Sequence, residues 1–231
     1  FEIKEKELIQ RAVMLSKADL MSEMVYEFTE LQGLMGYYYS KIAKNDEKIS
    51  LALKEQYLPS GENSELPSTI FSSIVAMSNK IDNLMALFSV GKIPTGSKDP
   101  FALRRAALGV VKIAIEHKLD IDFKTIIEDL KVNYTNLDTK LLLEFFNERL
   151  YKIFDVNPTV LKAVLSSGET NIYNIYQKVE ALNPVVESDN FKDYSATFKR
   201  VANIVKDVDL STDLNINNSL FEQNEEKELY T

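Results

Sequence analysis

Apolar residues recur through most of this chain at spacings of three and four rather than two, and that periodicity confines it to helices with one buried face. Only seven glycines interrupt the pattern, so the expected architecture is all-α. Leu8, Ala12, Leu15 and Ala18, followed by Met24 and Val25, place a first helix over residues 4–26. Gly33 and Gly36 flank Leu34-Met35 and predict a turn or kink. A second helix is expected over 46–56, stopping before Pro59-Ser60-Gly61. A third is expected over 67–88, with Ile70, Ile74, Met77, Ile81, Leu84 and Met85 on its inner stripe.

The clearest punctuation is the loop of residues 91–98, rich in Gly, Pro, Thr and Ser. Asp99-Pro100 then supplies an N-cap carboxylate and a preset first-turn φ, which predicts a helix over 100–117. Asp120-Ile121-Asp122 reads as a connection, and a domain boundary is placed there, giving units 1–119 and 120–231. Helices are expected over 123–131 and 138–154. Asn157-Pro158 repeats the cap-then-proline signature and opens another that Gly168 ends, and residues 171–182 and 190–206 complete the set. The acidic tail from Asp207 has few apolar anchors and reads as partly disordered.

Charge and composition exclude several classes of function. There is no cysteine, so disulfides, thiolate catalysis and cysteine-based zinc sites are ruled out, and the cytoplasm is the default compartment. No run approaches the roughly 18 apolar residues of a membrane span. The first residues, Phe1-Glu2-Ile3-Lys4, carry neither an initiator Met nor a secretory signal, so the chain is expected to start inside a longer protein. A net charge of −8 argues against a general nucleic-acid coat, DNA included. The charge is nevertheless uneven. Over residues 91–112 Lys92, Lys98, Arg104, Arg105 and Lys112 face Asp99 alone, whereas seven acids face only Lys227 beyond residue 206.

Several constellations bear on chemistry. His117 is the single histidine, so a two-histidine metal site cannot be assembled, and the residue reads as an exposed group in the last turn of a helix. Asp19, in Lys17-Ala18-Asp19, and Asp82, in Lys80-Ile81-Asp82, are a carboxylate pair that could hold Mg²⁺ or equally pair with neighbouring lysines; no metal site is assigned. Lys98, Arg104 and Arg105 lead from a flexible loop into a helix N-terminus, an arrangement suited to phosphate or to a partner. Arg149, Tyr151 and Lys152 close one helix. Lys199, Arg200 and Asn203, beside Phe198, occupy another. Cations hold phosphates and planar side chains stack on unpaired bases, so both groups are candidates for RNA contact.

Three longer blocks are more specific than any cluster. They are residues 11–20 (Arg-Ala-Val-Met-Leu-Ser-Lys-Ala-Asp-Leu), residues 24–39, ending in Gly33-Leu34-Met35-Gly36-Tyr37-Tyr38-Tyr39, and the run from Pro94 through Asp99-Pro100-Phe101-Ala102-Leu103-Arg104-Arg105 to Gly109. Together they closely resemble the β subunits of the bacterial two-subunit glycyl-tRNA synthetases. The resemblance implies an HD-like helical domain, truncated at its N-terminus, followed by a helical (DALR-like) anticodon-binding domain whose late helix matches residues 198–204. It also implies an α2β2-type assembly in which the separate α subunit, with ATP and Mg, activates glycine while the β subunit binds tRNA(Gly). No cofactor is expected in this chain. Lys17-Ala18-Asp19 departs from the His-Asp pair of true HD enzymes. The leading expectation is therefore a tRNA-binding, non-catalytic portion of a glycine-tRNA ligase, with a residual metal phosphohydrolase or a pure assembly module as the rivals.

Overall fold

The computed structural model describes residues 3–61, 63–206 and 218–230. Among them are twelve α-helices, four short 3-10 turns and no strand, so the expected all-α class is the observed one. The chain divides into two compact units, Phe1–Pro184 and Val185–Thr231.

The first unit opens with α1 (Ile3–Leu15), a 3-10 turn (Ala18–Met21), α2 (Glu23–Glu27), a second 3-10 turn (Thr29–Leu31), α3 (Leu34–Ile42) and α4 (Glu47–Glu55). The single helix expected over 4–26 is thus broken after Leu15. Apolar spacing continues through the break, but hydroxyl and carboxyl groups take the backbone elsewhere. The Ser22 hydroxyl accepts the Val25 N–H to cap α2 and donates to the Asp19 carbonyl at 2.7 Å. The Asp19 carboxylate accepts the Gly33 N–H at 2.6 Å. Gly33 turns the chain with φ +78°, as expected, whereas Gly36 lies buried inside α3, a helix the periodicity did not reveal.

α5 (Ile70–Ser89) is the hub, packing against α1, α4, α6 (Leu103–Glu116) and α8 (Thr139–Ile153). Thr69 caps it through the Ser72 N–H. Val75 is buried in a cluster with Ala12, Ile49, Ala52 and Leu53 of α1 and α4, while Ala76, Leu84 and Met85 of α5 and Leu103, Ala107, Val110 and Ile113 of the adjoining α6 are fully buried. Each large side chain of this kind contributes about 1.5–3 kcal/mol, which outweighs any one surface ion pair. Ile70, expected on the inner stripe, is instead exposed at the first turn.

α6 begins three residues later than the Asp99-Pro100 signature suggests. Ala102 adopts a left-handed conformation, φ +56°, and the Asp99 carboxylate reaches past it to accept the Leu103 and Arg104 N–H groups at 2.8 and 3.0 Å. The cap is the expected residue, acting over a longer loop.

α7 (Phe123–Leu130), α8, α9 (Pro158–Ser166) and the greater part of α10 (Ile172–Glu187) complete this unit. Phe123 stacks on Phe146 at 3.8 Å and Phe88 meets Phe145 edge-on at 5.1 Å, tying α7 and α5 to α8. The 119/120 position falls inside this unit. Asn171 Nδ2 donates to Asp120 at 2.6 Å, and the Ile172 N–H donates to the Ile121 carbonyl at 3.0 Å. The second unit contains the end of α10, α11 (Phe191–Ile204), a 3-10 turn (Asn218–Leu220) and α12 (Asn224–Tyr230). Residues 207–217 of the acidic tail lie outside the described residues.

Candidate nucleic-acid interface

The break after α1 brings the two Lys-x-Asp triplets, residues 17–19 and 80–82, around Tyr57. Lys17 Nζ lies over the Tyr57 ring, 4.7 Å from its centroid, and Lys80 Nζ donates to the Tyr57 carbonyl at 3.2 Å. The stem of Lys80 is buried against Gly109, where an added Cβ would come within 2.6 Å of Cε. Burial pushes the Lys80 amine down to about 8, assisted by the charge of Lys17. Burial also lowers the Lys17 amine, against the opposing pull of Asp19 and Asp82, and raises the Tyr57 phenol to about 12, with Asp19 adding to the effect.

The carboxylates are engaged separately. Asp19 is buried and gives one oxygen to the Gly33 N–H, its other oxygen having no partner among the described residues. Asp82 is exposed and accepts the Tyr134 hydroxyl at 2.5 Å, a bond that, after burial, raises the Tyr134 phenol further. Among the described residues no three His, Cys, Asp or Glu side chains converge on a common point. His117 is half-buried rather than exposed, bonded through Nε2 to Ser73 Oγ at 2.9 Å. This donor set does not fit the divalent metal of HD phosphohydrolases, because Asp19 and Asp82 are bonded to different partners and no third carboxylate or histidine joins them among the described residues.

Beside this cluster lies a cleft of about 590 Å³ between α1, α5 and α7. Val13, Ile126 and Leu130 give it an apolar side, and Lys17, Asp82 and Tyr134 a polar one. Sequence reasoning weighed the lysines of the triplets as ion-pair partners of the acids, whereas both lysines are gathered around Tyr57. The repeated Lys-x-Asp spacing was the signal available, and Tyr57 and Tyr134 carried none.

The cationic loop is preformed. Thr95 and Lys98 exchange backbone hydrogen bonds at 2.9 and 3.2 Å across Gly96-Ser97, leaving Lys98 exposed. Arg104 Nη2 donates to the Gly96 carbonyl at 2.6 Å and braces the turn, while the exposed Arg105 reaches the Ser60 carbonyl at 3.4 Å. The α8 group divides. Arg149 is 8% exposed, lies over the Phe145 ring at 4.8 Å and pairs with Glu148 at 2.5 Å, so it braces the helix and is not a free surface cation. Tyr151 and Lys152 are exposed. On α11, in the second unit, Lys199, Arg200 and Asn203 are all exposed, as is Phe198 at 75%.

These features define an all-helical protein with dispersed cationic and aromatic surface and no gathered metal donors among its described residues. The sequence profile of the family described as glycyl-tRNA synthetase beta subunit matches residues 2–166. A glycine--tRNA ligase beta subunit of Helicobacter pylori (strain G27) is 46% identical over 97% of this chain and 33% of its own length. Those of Buchnera aphidicola subsp. Schizaphis graminum and of a Sulfurihydrogenibium species are 40% and 36% identical, over 98% of this chain and 34% and 32% of their own lengths. The chain spans about a third of the length of these relatives. It belongs to the glycyl-tRNA synthetase beta subunit family.

Proposed function

We propose that this chain is a tRNA-binding, non-catalytic portion of a glycine-tRNA ligase beta subunit. Its partners are then tRNA(Gly) and the α subunit, which with ATP and Mg carries out aminoacylation in the cytoplasm. Residues 1–119 take the HD-like part and 120–231 the helical anticodon-binding part. The observation that carries this reading beyond the family is the exposed Lys199-Arg200-Asn203 group with Phe198 on α11, cations for phosphate beside a ring for a base.

The reading is tested by measuring binding of glycine tRNA to the chain at two salt concentrations, with and without Lys199→Ala and Arg200→Ala together. Salt-dependent binding that the double variant weakens supports it. Binding that ignores salt, or that the double variant leaves intact, overturns it.

A second role is favoured by the braced loop. With Arg104 fixed on Gly96 and Asp99 on the start of α6, residues 94–105 present a preformed shape suited to docking on the α subunit. Loss of co-purification with the α subunit in Arg104→Ala, while tRNA binding persists, separates the two roles.

A further inference from the structure

The cleft between α1, α5 and α7 sets the Lys17 ammonium and the Asp82 carboxylate beside an apolar wall. Lys17 makes no ion pair within 4 Å among the described residues, although burial holds its amine below the ordinary value. Lys17 is exposed at the cleft with an aromatic face beneath its ammonium, so it can add a charge-assisted bond to an anionic oxygen. Asp82 accepts one bond, from Tyr134, and a carboxylate has further lone pairs for an amino group. Val13, Ile126 and Leu130 supply a surface for a flat, weakly hydrated ring. The volume, about 590 Å³, lies within the range of about 300–1,000 Å³ typical of ligand pockets.

We infer that this cleft takes one unpaired nucleotide of the bound RNA, with its phosphate on Lys17 and the exocyclic amino group of its base on Asp82. The inference rests on the tRNA-binding reading and adds to it a site and a base preference. A carboxylate accepts from the amino group of cytosine, and by the same chemistry of adenine, but finds no such donor on uracil. The cleft therefore selects amino-bearing bases and discriminates against uridine.

The experiment uses the 231-residue chain, with backbone amide shifts followed by NMR during titration with CMP, UMP and inorganic phosphate. CMP is expected to shift the amides of Ser16, Lys17, Asn79 and Leu130 saturably, UMP more weakly and phosphate least. Lys17→Ala weakens CMP on the order of tenfold, the loss of one charged contact, and Lys17→Arg restores it. Asp82→Asn narrows the difference between CMP and UMP. Urea unfolding of each variant shows that the fold is retained. Glycine tRNA displaces CMP.

Absence of saturable shifts at millimolar CMP, or a Lys17→Ala variant that binds CMP as before, overturns the inference. If tRNA binds through α11 while CMP leaves the cleft untouched, the cleft fails and the tRNA reading stands. If CMP fills the cleft but the chain binds no tRNA, the functional reading fails and RNA is excluded as the source of the nucleotide.

Discussion

Asp19 and Gly33 are joined by a buried hydrogen bond of 2.6 Å from the glycine N–H to the carboxylate, linking the 3-10 turn that follows α1 to the start of α3. The bond holds the start of α3 against the turn that carries Asp19, and α3 in turn packs on α4. Asp19→Ala leaves the Gly33 N–H buried without an acceptor, so a loss of about 1–3 kcal/mol is expected in urea unfolding. Asp19→Asn keeps an acceptor and is expected to lose less.

Gly33 is constrained from the other side. Its φ is +78°, and an added Cβ would lie 3.1 Å from the Tyr57 ring and 3.2 Å from the carbonyls of Leu53 and Lys54. Gly33→Ala is therefore expected to lower stability by about 1–3 kcal/mol, on backbone strain together with crowding. Thermal unfolding followed by circular dichroism measures this. A variant as stable as the parent would show that the turn relaxes freely.

Lys80 makes stability depend on pH in an unusual direction. Its amine falls from 10.5 in the unfolded chain to about 8 when folded, so between these values the unfolded state binds more protons. The folded state then gains stability as pH rises from about 8 towards 10, and Lys17 acts in the same sense. The Tyr57 phenol, raised to about 12, reverses the slope above pH 10 by favouring the ionised unfolded form. Urea midpoints at pH 7, 8, 9 and 10 are expected to climb on account of the lysines, by on the order of 2 kcal/mol in all. Lys80→Met is expected to flatten the climb.

Asp99 serves the first turn of α6 with both carboxylate oxygens. Asp99→Ala is expected to destabilise the first unit by about 1–2 kcal/mol, the usual loss for a removed N-cap. Arg104→Ala, which releases only the Gly96 carbonyl of the loop, is expected to leave the unfolding midpoint nearly unchanged. Amide hydrogen exchange of Leu103 and Arg104 separates the two: it accelerates in the Asp99 variant and stays slow in the other.

What the sequence makes legible follows the range over which each signal acts. α9 starts at Pro158, as the Asn157-Pro158 pair implies, because an N-cap and a fixed φ act within one turn. The same logic at Asp99-Pro100 identifies the capping residue but misplaces the helix start, since a left-handed Ala102 intervenes and the carboxylate caps Leu103 and Arg104 beyond it. The break after Leu15 hides behind continuous apolar spacing, because its cause is a bond from Asp19 to a residue 14 positions away. Among the site residues, exposed cations such as Lys199 and Arg200 can be read from charge and helical phase alone. The contacts of Arg149 with Glu148 and Phe145 lie within α8, but its burial depends on how α8 is turned against its neighbours, which residue types do not encode locally.

Lys80 and Gly109 form a matched pair across α5 and α6: the lysine stem occupies the room that the missing glycine side chain leaves. A change at either position is felt at the other. Gly109→Ala drives a methyl group into the lysine stem, and shortening Lys80 opens a gap beside a bare stretch of helix. The two changes made together relieve each other, so a double-mutant cycle of Gly109→Ala with Lys80→Ala is expected to return less destabilisation than the sum of the single changes. The two positions thus form a single packing unit, the bulk of one partner filling the room left by the smallness of the other.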